Sequence, residues 1–128
     1  MTFTTRFAPS PTGPLHLGHA YSALLAHDMA RDSGGRFLLR IDDLDQSRSR
    51  LHWEQQIYDD LAWLGLTWDG PVRRQSDHFT DYARMLDSLR ASGLTFECQC
   101  TRRDLETAAA APQEGVPAFG PDGRIYPG

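Results

Sequence analysis

No lysine occurs anywhere in the 128 residues, so all 13 basic side chains are arginine. That bias fits a GC-rich coding sequence. Acidic residues number 17, giving a formal charge of −4. A basic stripe is the usual footprint of nucleic-acid binding, so any RNA contact here has to be local. There are only two cysteines, Cys98 and Cys100, separated by one residue. Cysteines so close rarely pair, and nothing suggests the disulfide framework of a secreted domain. The stretch Met1–Phe7 lacks the apolar core of a signal peptide, and no run reaches membrane-spanning length. The expectation is a soluble, cytoplasmic chain.

What is there suits a folded protein. The hydrophobic share is 40%, with three Trp, four Tyr and six Phe, enough for one modest core. Thr2–Ala8 is β-branched and aromatic and reads as a first strand, closed by Pro9, Pro11, Gly13 and Pro14. Gly18–Asp32 reads as a helix with Tyr21, Leu24, Leu25 and Met29 near one side, ended by Gly34 and Gly35. Phe37–Ile41 is short enough for a buried strand. Ser47 or Ser49 can cap a second helix to about Leu64, with Ile57, Leu61 and Leu64 on one face. Ser76 can cap a third, carrying Phe79, Tyr82, Leu86 and Leu89 and stopped by Gly93. Thr95–Gln99 reads as a strand, and Thr101 opens a short helix into the Ala108–Ala111 run. The last 17 residues hold four Pro and four Gly and read as a loop. This order predicts an α/β fold with a parallel sheet.

The first loop carries the chemistry. A strand that ends in a tight loop and feeds a helix turns backbone N–H groups toward an anion. Gly18 at the helix start lets a ring or phosphate approach the backbone closely. His16 and His19 are three apart and can face one ligand. Imidazole donors suit charge developing on phosphate oxygens. On spacing alone, a Pro-rich turn with two surface histidines explains the segment equally well.

The surrounding residues extend the pattern. Arg6-Phe7-Ala8-Pro9-Ser10-Pro11-Thr12-Gly13, then His16-Leu17-Gly18-His19, resembles the opening of glutamyl-tRNA synthetases and their first class I signature. The likeness continues through Gly34–Asp45, Leu64–Gly70 and Arg74-Gln75-Ser76. It implies the first half of a Rossmann-like catalytic domain over residues 1–94, and the start of a zinc-binding insertion over 95–128. It also implies site roles. Arg6 would pair bidentately with the glutamate side chain. Phe7, Ala8, Pro9 and Ser10 would line the same site, and Ser10, where glutaminyl enzymes carry an acid, points to glutamate. Asp42 would hold the α-ammonium where the family has Glu, one methylene longer. Pro9, Thr12, Gly13, His16, Gly18 and His19 would bind ATP, with His16 and His19 catalytic. For Asp43 and Asp45 the expectation is a solvated strand end with capping carboxylates.

Cys98-Gln99-Cys100 could supply two corners of a tetrahedral metal site, or be two partly buried thiols. Together with Tyr126 and the Leu44-Asp45-Gln46-Ser47-Arg48 variant, it resembles the zinc element of the glutamyl-queuosine branch, whose fourth ligand would fall beyond Gly128. That branch implies ATP and Mg²⁺, zinc, and transfer of activated glutamate to queuosine at the wobble position of tRNA(Asp). The family's second signature is a lysine-rich loop, absent from a chain without lysine. These 128 residues alone are therefore expected to be inactive or nearly so, with apolar surface exposed where the rest would pack. Two other readings remain open: the N-terminal part of a glutamyl-tRNA synthetase, and a non-catalytic nucleotide- or zinc-binding remnant.

Overall fold

A computed structural model describes residues 2–110, 119–121 and 123–124. The chain divides into two units, Met1–Leu86 and Asp87–Gly128. In the first, β1 (Thr4–Phe7), α1 (Leu17–Asp32), β2 (Arg36–Ile41), α2 (Leu51–Trp63) and β3 (Arg73–Arg74) follow in order, then a 3₁₀ turn (Gln75–His78). The strands form one parallel sheet in the order β1-β2-β3. Thr4 faces Arg36 and Phe7 faces Leu39, while Ile41 faces Arg74. Parallel neighbours need crossovers, and α1 and α2 lie on the two connections.

β2 is the spine of this unit. Phe37, Leu39 and Ile41 are all but inaccessible, and they alternate with half-buried Leu38 and Arg40. Ile57 and Leu61 from α2, Leu66 and Phe7 complete the core. Burying each of these large side chains contributes about 1.5–3 kcal/mol.

α1 corrects one expectation. Its buried residues are Ala23 and Ala30, whereas Tyr21, Leu25 and Met29 are about half exposed or more. Of the four large side chains, only Leu24 packs against the core. Small residues let the helix lie close to the sheet: Thr5 Oγ1 donates to the Ala26 carbonyl at 2.6 Å. The helix ends as the glycines predict. Gly34, at φ +59°, donates to Arg31, and Gly35 donates to Ala30. A Cβ on Gly35 would collide with the Phe3 carbonyl, which the Arg36 N–H meets at 2.9 Å.

The Thr67–Gly70 segment closes the start of β2. Asp69 Oδ2 accepts the Phe37 N–H at 2.8 Å and Arg31 Nη1 at 2.9 Å. These bonds, the backbone one first, hold the Asp69 carboxyl below the usual carboxylate range. At the head of α2 neither serine caps. Arg50 is the N-cap residue, with no side-chain bond to the helix. Ser47 is instead held by Asp45, which accepts its Oγ–H at 2.6 Å.

α3 (Phe79–Ala91) follows the 3₁₀ turn, so Ser76 sits in that turn rather than capping α3. In the second unit residues 94–101 have no regular structure, against the strand expected at Thr95–Gln99. β-branched and aromatic residues favour a strand only where the pleat has a surface to pack on, and Leu94 and Phe96 are each 72% exposed. α4 (Arg102–Ala110) starts where Thr101 predicts, and β4 (Phe119–Gly120) pairs antiparallel with β5 (Gly123–Arg124). Among the described residues no helix is long and apolar enough to cross a membrane.

Candidate active site

The loop from Ala8 to His16 is pinned at two points near its start. The Pro9 carbonyl accepts the Asp42 N–H at 2.9 Å, and the Pro11 carbonyl accepts the Arg50 N–H at 3.0 Å. Pro9 and Pro11 are buried, which orients the rest of the loop outward. Proline's fixed φ suits a rigid turn that spends no N–H.

This loop walls an open groove of about 420 Å³. The groove is lined by Arg6, Phe7, Ala8, Pro9, Ser10, Thr12, Gly13 and His19, all expected from sequence, with Pro14 and Leu15 added. His16, Gly18 and Asp42 are not in its lining. Arg6 and Ser10 are exposed. Among the described residues, no ion pair or hydrogen bond occupies the Arg6 guanidinium.

His16 and His19 act as a pair at the N-terminus of α1. His16 Nδ1 accepts the Gly18 N–H at 3.1 Å, and His19 Nδ1 accepts the His16 N–H at 3.2 Å. The rings stack at 3.8 Å. Each Nδ1 is thus an acceptor, so each neutral ring carries its proton on Nε2 and offers a donor there. Desolvation, and then the charge of His16, lowers the His19 pKa below the usual histidine value. A neutral imidazole with an outward N–H donor beside the positive end of a helix suits an anionic oxygen.

The three carboxylates after β2 have three different fates. Asp42 is held bidentately by Arg40, at 2.6 Å from Nε and 3.0 Å from Nη2. That bond raises the Arg40 pKa. Asp45 closes its own turn through Ser47 and Arg48, which together lower its pKa to about 2. Asp43 departs from expectation: it is 2% exposed, not solvated. It accepts Ser76 N–H at 2.9 Å and Ser76 Oγ–H at 2.6 Å, and lies 3.5 Å from Arg74 Nη2. Arg74 is also 3.1 Å from buried Glu54, which accepts the Tyr58 hydroxyl at 2.7 Å. No local spacing signals this network, because its members lie on three separate stretches of chain.

Cys98 and Cys100 are exposed in the irregular segment, and Tyr126 lies outside the described residues. Among the described residues no three His, Cys, Asp or Glu side chains cluster to hold a metal. Two thiols two residues apart are suitable soft donors for zinc, but they are two of the four it takes.

Comparison with known proteins agrees with this geometry. The family "tRNA synthetases class I (E and Q), catalytic domain" matches residues 2–118. A glutamyl-Q tRNA(Asp) synthetase of Rhodobacter capsulatus is 64% identical over 97% of this chain and 44% of its own length. A glutamate–tRNA ligase 2 of Cereibacter sphaeroides is 51% identical over 77% of the chain and 22% of its own. Among solved structures, a glutamate tRNA ligase from Elizabethkingia meningosepticum, in complex with its amino acid, superposes with a TM-score of 0.69. It is 35% identical, over 86% of this chain and 24% of that one. The chain thus spans less than half the length of the curated relatives it matches. With a parallel sheet, a capped histidine pair and an arginine-lined groove in the matched region, the chain belongs to the class I tRNA synthetases of the glutamate and glutamine type.

Proposed function

We propose that this chain carries the glutamate- and ATP-reading part of a glutamyl-queuosine tRNA(Asp) synthetase. The observation that carries the reading is Arg6, an exposed guanidinium on a groove shared with Ser10 and His19. A planar fork of donors accepts a carboxylate bidentately, which favours glutamate over its neutral amide. The Ser10 hydroxyl adds a bond to the same carboxylate. Asp42 receives the α-ammonium group, its free lone pairs remaining available beside the Arg40 pair.

In activation, the α-carboxylate of glutamate attacks the α-phosphorus of ATP, and the bond to pyrophosphate breaks. The Nε2–H groups of His16 and His19 donate to the oxygens on which negative charge grows. Most of the rate gain comes from positioning and charge stabilisation. Mg²⁺ accompanies ATP as part of the substrate. A hydroxyl of queuosine in tRNA(Asp) then attacks the carbonyl of the glutamyl-adenylate, and AMP leaves, in the cytoplasm. A zinc ion at Cys98, Cys100 and Tyr126 belongs to this reading on residue type and order alone, and residues 95–128 would be its insertion, after a catalytic half-domain over 1–94.

The chain has no lysine to neutralise the leaving pyrophosphate. We therefore expect the 128 residues to bind a non-hydrolysable glutamyl-adenylate analogue but to turn over poorly. Titration with that analogue, followed by NMR shifts of Arg6 and His19, tests the binding. ATP–pyrophosphate exchange tests the turnover. No shift on saturation sinks the binding reading, and exchange at a typical synthetase rate of about 1–10³ s⁻¹ sinks the second claim. The likeness to a glutamate–tRNA ligase favours a second reading, in which the acceptor is a tRNA 3′ end. Periodate oxidation of the glutamylated tRNA separates the two: glutamate on the 3′ end protects the terminal ribose diol, and glutamate on queuosine leaves it oxidisable.

A further inference from the structure

Asp43 is a nearly inaccessible carboxylate that accepts two hydrogen bonds, and the activation chemistry above does not use it. Its neighbour Asp42 ends on the groove loop: the Asp42 N–H reaches Pro9, and its carboxylate is gripped by Arg40. The burial alternation of β2 runs on past its end, with Ile41 and Asp43 buried and Arg40 and Asp42 half-buried, so the two aspartates lie on opposite sides of the chain. Fixing Asp43 on the inner side therefore fixes where Asp42 stands on the outer side. The inner grip is strong in three ways. Asp43 is 2% exposed, accepts both donors of Ser76, and faces Arg74, which Glu54 holds from α2. The contacts tie the end of β2 to β3, the 3₁₀ turn and α2 at one point.

We propose that Asp43, latched by Ser76 and Arg74, is a positioning residue that sets the Arg40–Asp42 pair for the amino-acid substrate. The substrate half of this statement rests on the reading of Asp42 given above; the latch itself does not. A shorter acid reaches less far into a site, so its backbone has to be held in place rather than left to adjust. A buried carboxylate with two hydrogen bonds and an arginine is suited to that task, since charge-assisted bonds are short and directional.

The test uses the 128-residue chain with Asp43→Asn and Ser76→Ala. Asparagine keeps an acceptor oxygen but loses the charge facing Arg74. Alanine at 76 removes one bond and leaves the Ser76 N–H and Arg74 contacts in place. The ligand-free readout is water exchange of the Arg40 Nε–H, which is slow while Asp42 holds it. We expect exchange to rise about tenfold in Asp43→Asn, the scale of one lost hydrogen bond to a charged group, and less in Ser76→Ala. Affinity for the glutamyl-adenylate analogue falls in the same order, while the Arg6 resonances keep their wild-type positions. Unchanged Arg40 exchange in a folded Asp43→Asn chain overturns the proposal. If that variant does not fold, unchanged exchange in Ser76→Ala overturns it. Faster exchange in the two variants, with a wild-type chain that binds no analogue, upholds the latch and defeats the substrate reading instead.

Discussion

Every core side chain, from Phe7 to Leu66, belongs to the first unit, whereas in the second unit no residue from Asp87 to Ala108 is buried. Both units contain well-signalled elements. In the first, α1 ends at Gly34 and Gly35 as the glycines require. In the second, α4 opens on Thr101, whose Oγ1 accepts the Asp104 N–H at 3.2 Å while Asp104 accepts the Thr101 N–H at 2.7 Å. Local signals therefore work equally in both. The difference is what those elements are tied to. In the first unit, a buried strand brings Pro9, Asp42, Asp43, Arg74 and Ser76 into fixed register, and a groove results. A cap makes a helix end; a site needs several chain segments held against one core.

The sharpest way to break this contrast is to cut the core on one side and its counterpart on the other. Phe37→Ala should destabilise the first unit by about 3–5 kcal/mol, a large share of a typical domain's total. Leu94→Ala, at a residue 72% exposed, should stay within about 0.5 kcal/mol. Urea unfolding of both variants measures the gap, and equal effects would erase the distinction between the units.

Next in size is a change that separates site from core. Arg6→Ala should weaken binding of a glutamyl-adenylate analogue by about 10–100-fold, the loss of a bidentate charged contact. Its melting temperature should remain near wild type, because Arg6 is exposed. Arg6→Lys should recover little, since an ammonium does not reproduce the fork. Calorimetric titration beside thermal melts reads both quantities.

A smaller effect is expected from pH. The folded-state pKa of His19 lies below its unfolded value, so the neutral ring favours the fold. That contribution is fully present above about pH 6.5 and is lost as pH falls through the lower folded value. Protonation also ends acceptance of the His16 N–H by Nδ1 and puts a cation at the positive helix end. Amide exchange at Leu17–Ala20 should therefore rise on acidification, and His19→Ala should flatten that response. The smallest effect concerns the second unit. Thr101→Ala should reduce α4 helicity, seen in amide shifts of residues 102–108, and leave Phe37 and Asp43 unmoved.

Much of this molecule is legible in its sequence. Glycines at 34 and 35, the Pro-rich loop and the histidine pair are all local devices, and each acts within a few residues of itself. Even so, the large residues of α1 gave a misleading face. Periodicity counts bulk, but the side lying on the sheet is set by how near the helix axis must come, and there Ala23 and Ala30 fit. The strand expected at Thr95–Gln99 failed for a related reason, since β propensity describes a surface that the segment has to find. The burial of Asp43 is not visible in the sequence, because its partners are 31 and 33 residues away along the chain, beyond the reach of any local pattern.

The order of elements predicted the α/β class, the spacing of His16 and His19 their pairing, and the family resemblance pointed to Arg6, Phe7, Ala8, Pro9, Ser10, Thr12 and Gly13 along the groove. Those features depend on backbone preferences and side-chain chemistry that adjacent residues already specify. Only the tertiary structure decided that both histidines present Nε2–H, that Asp42 is paired with Arg40, and that Asp43 is buried against Ser76 and Arg74. Each of those outcomes depends on distances between segments, and distances are set when β2 is closed in by its neighbours.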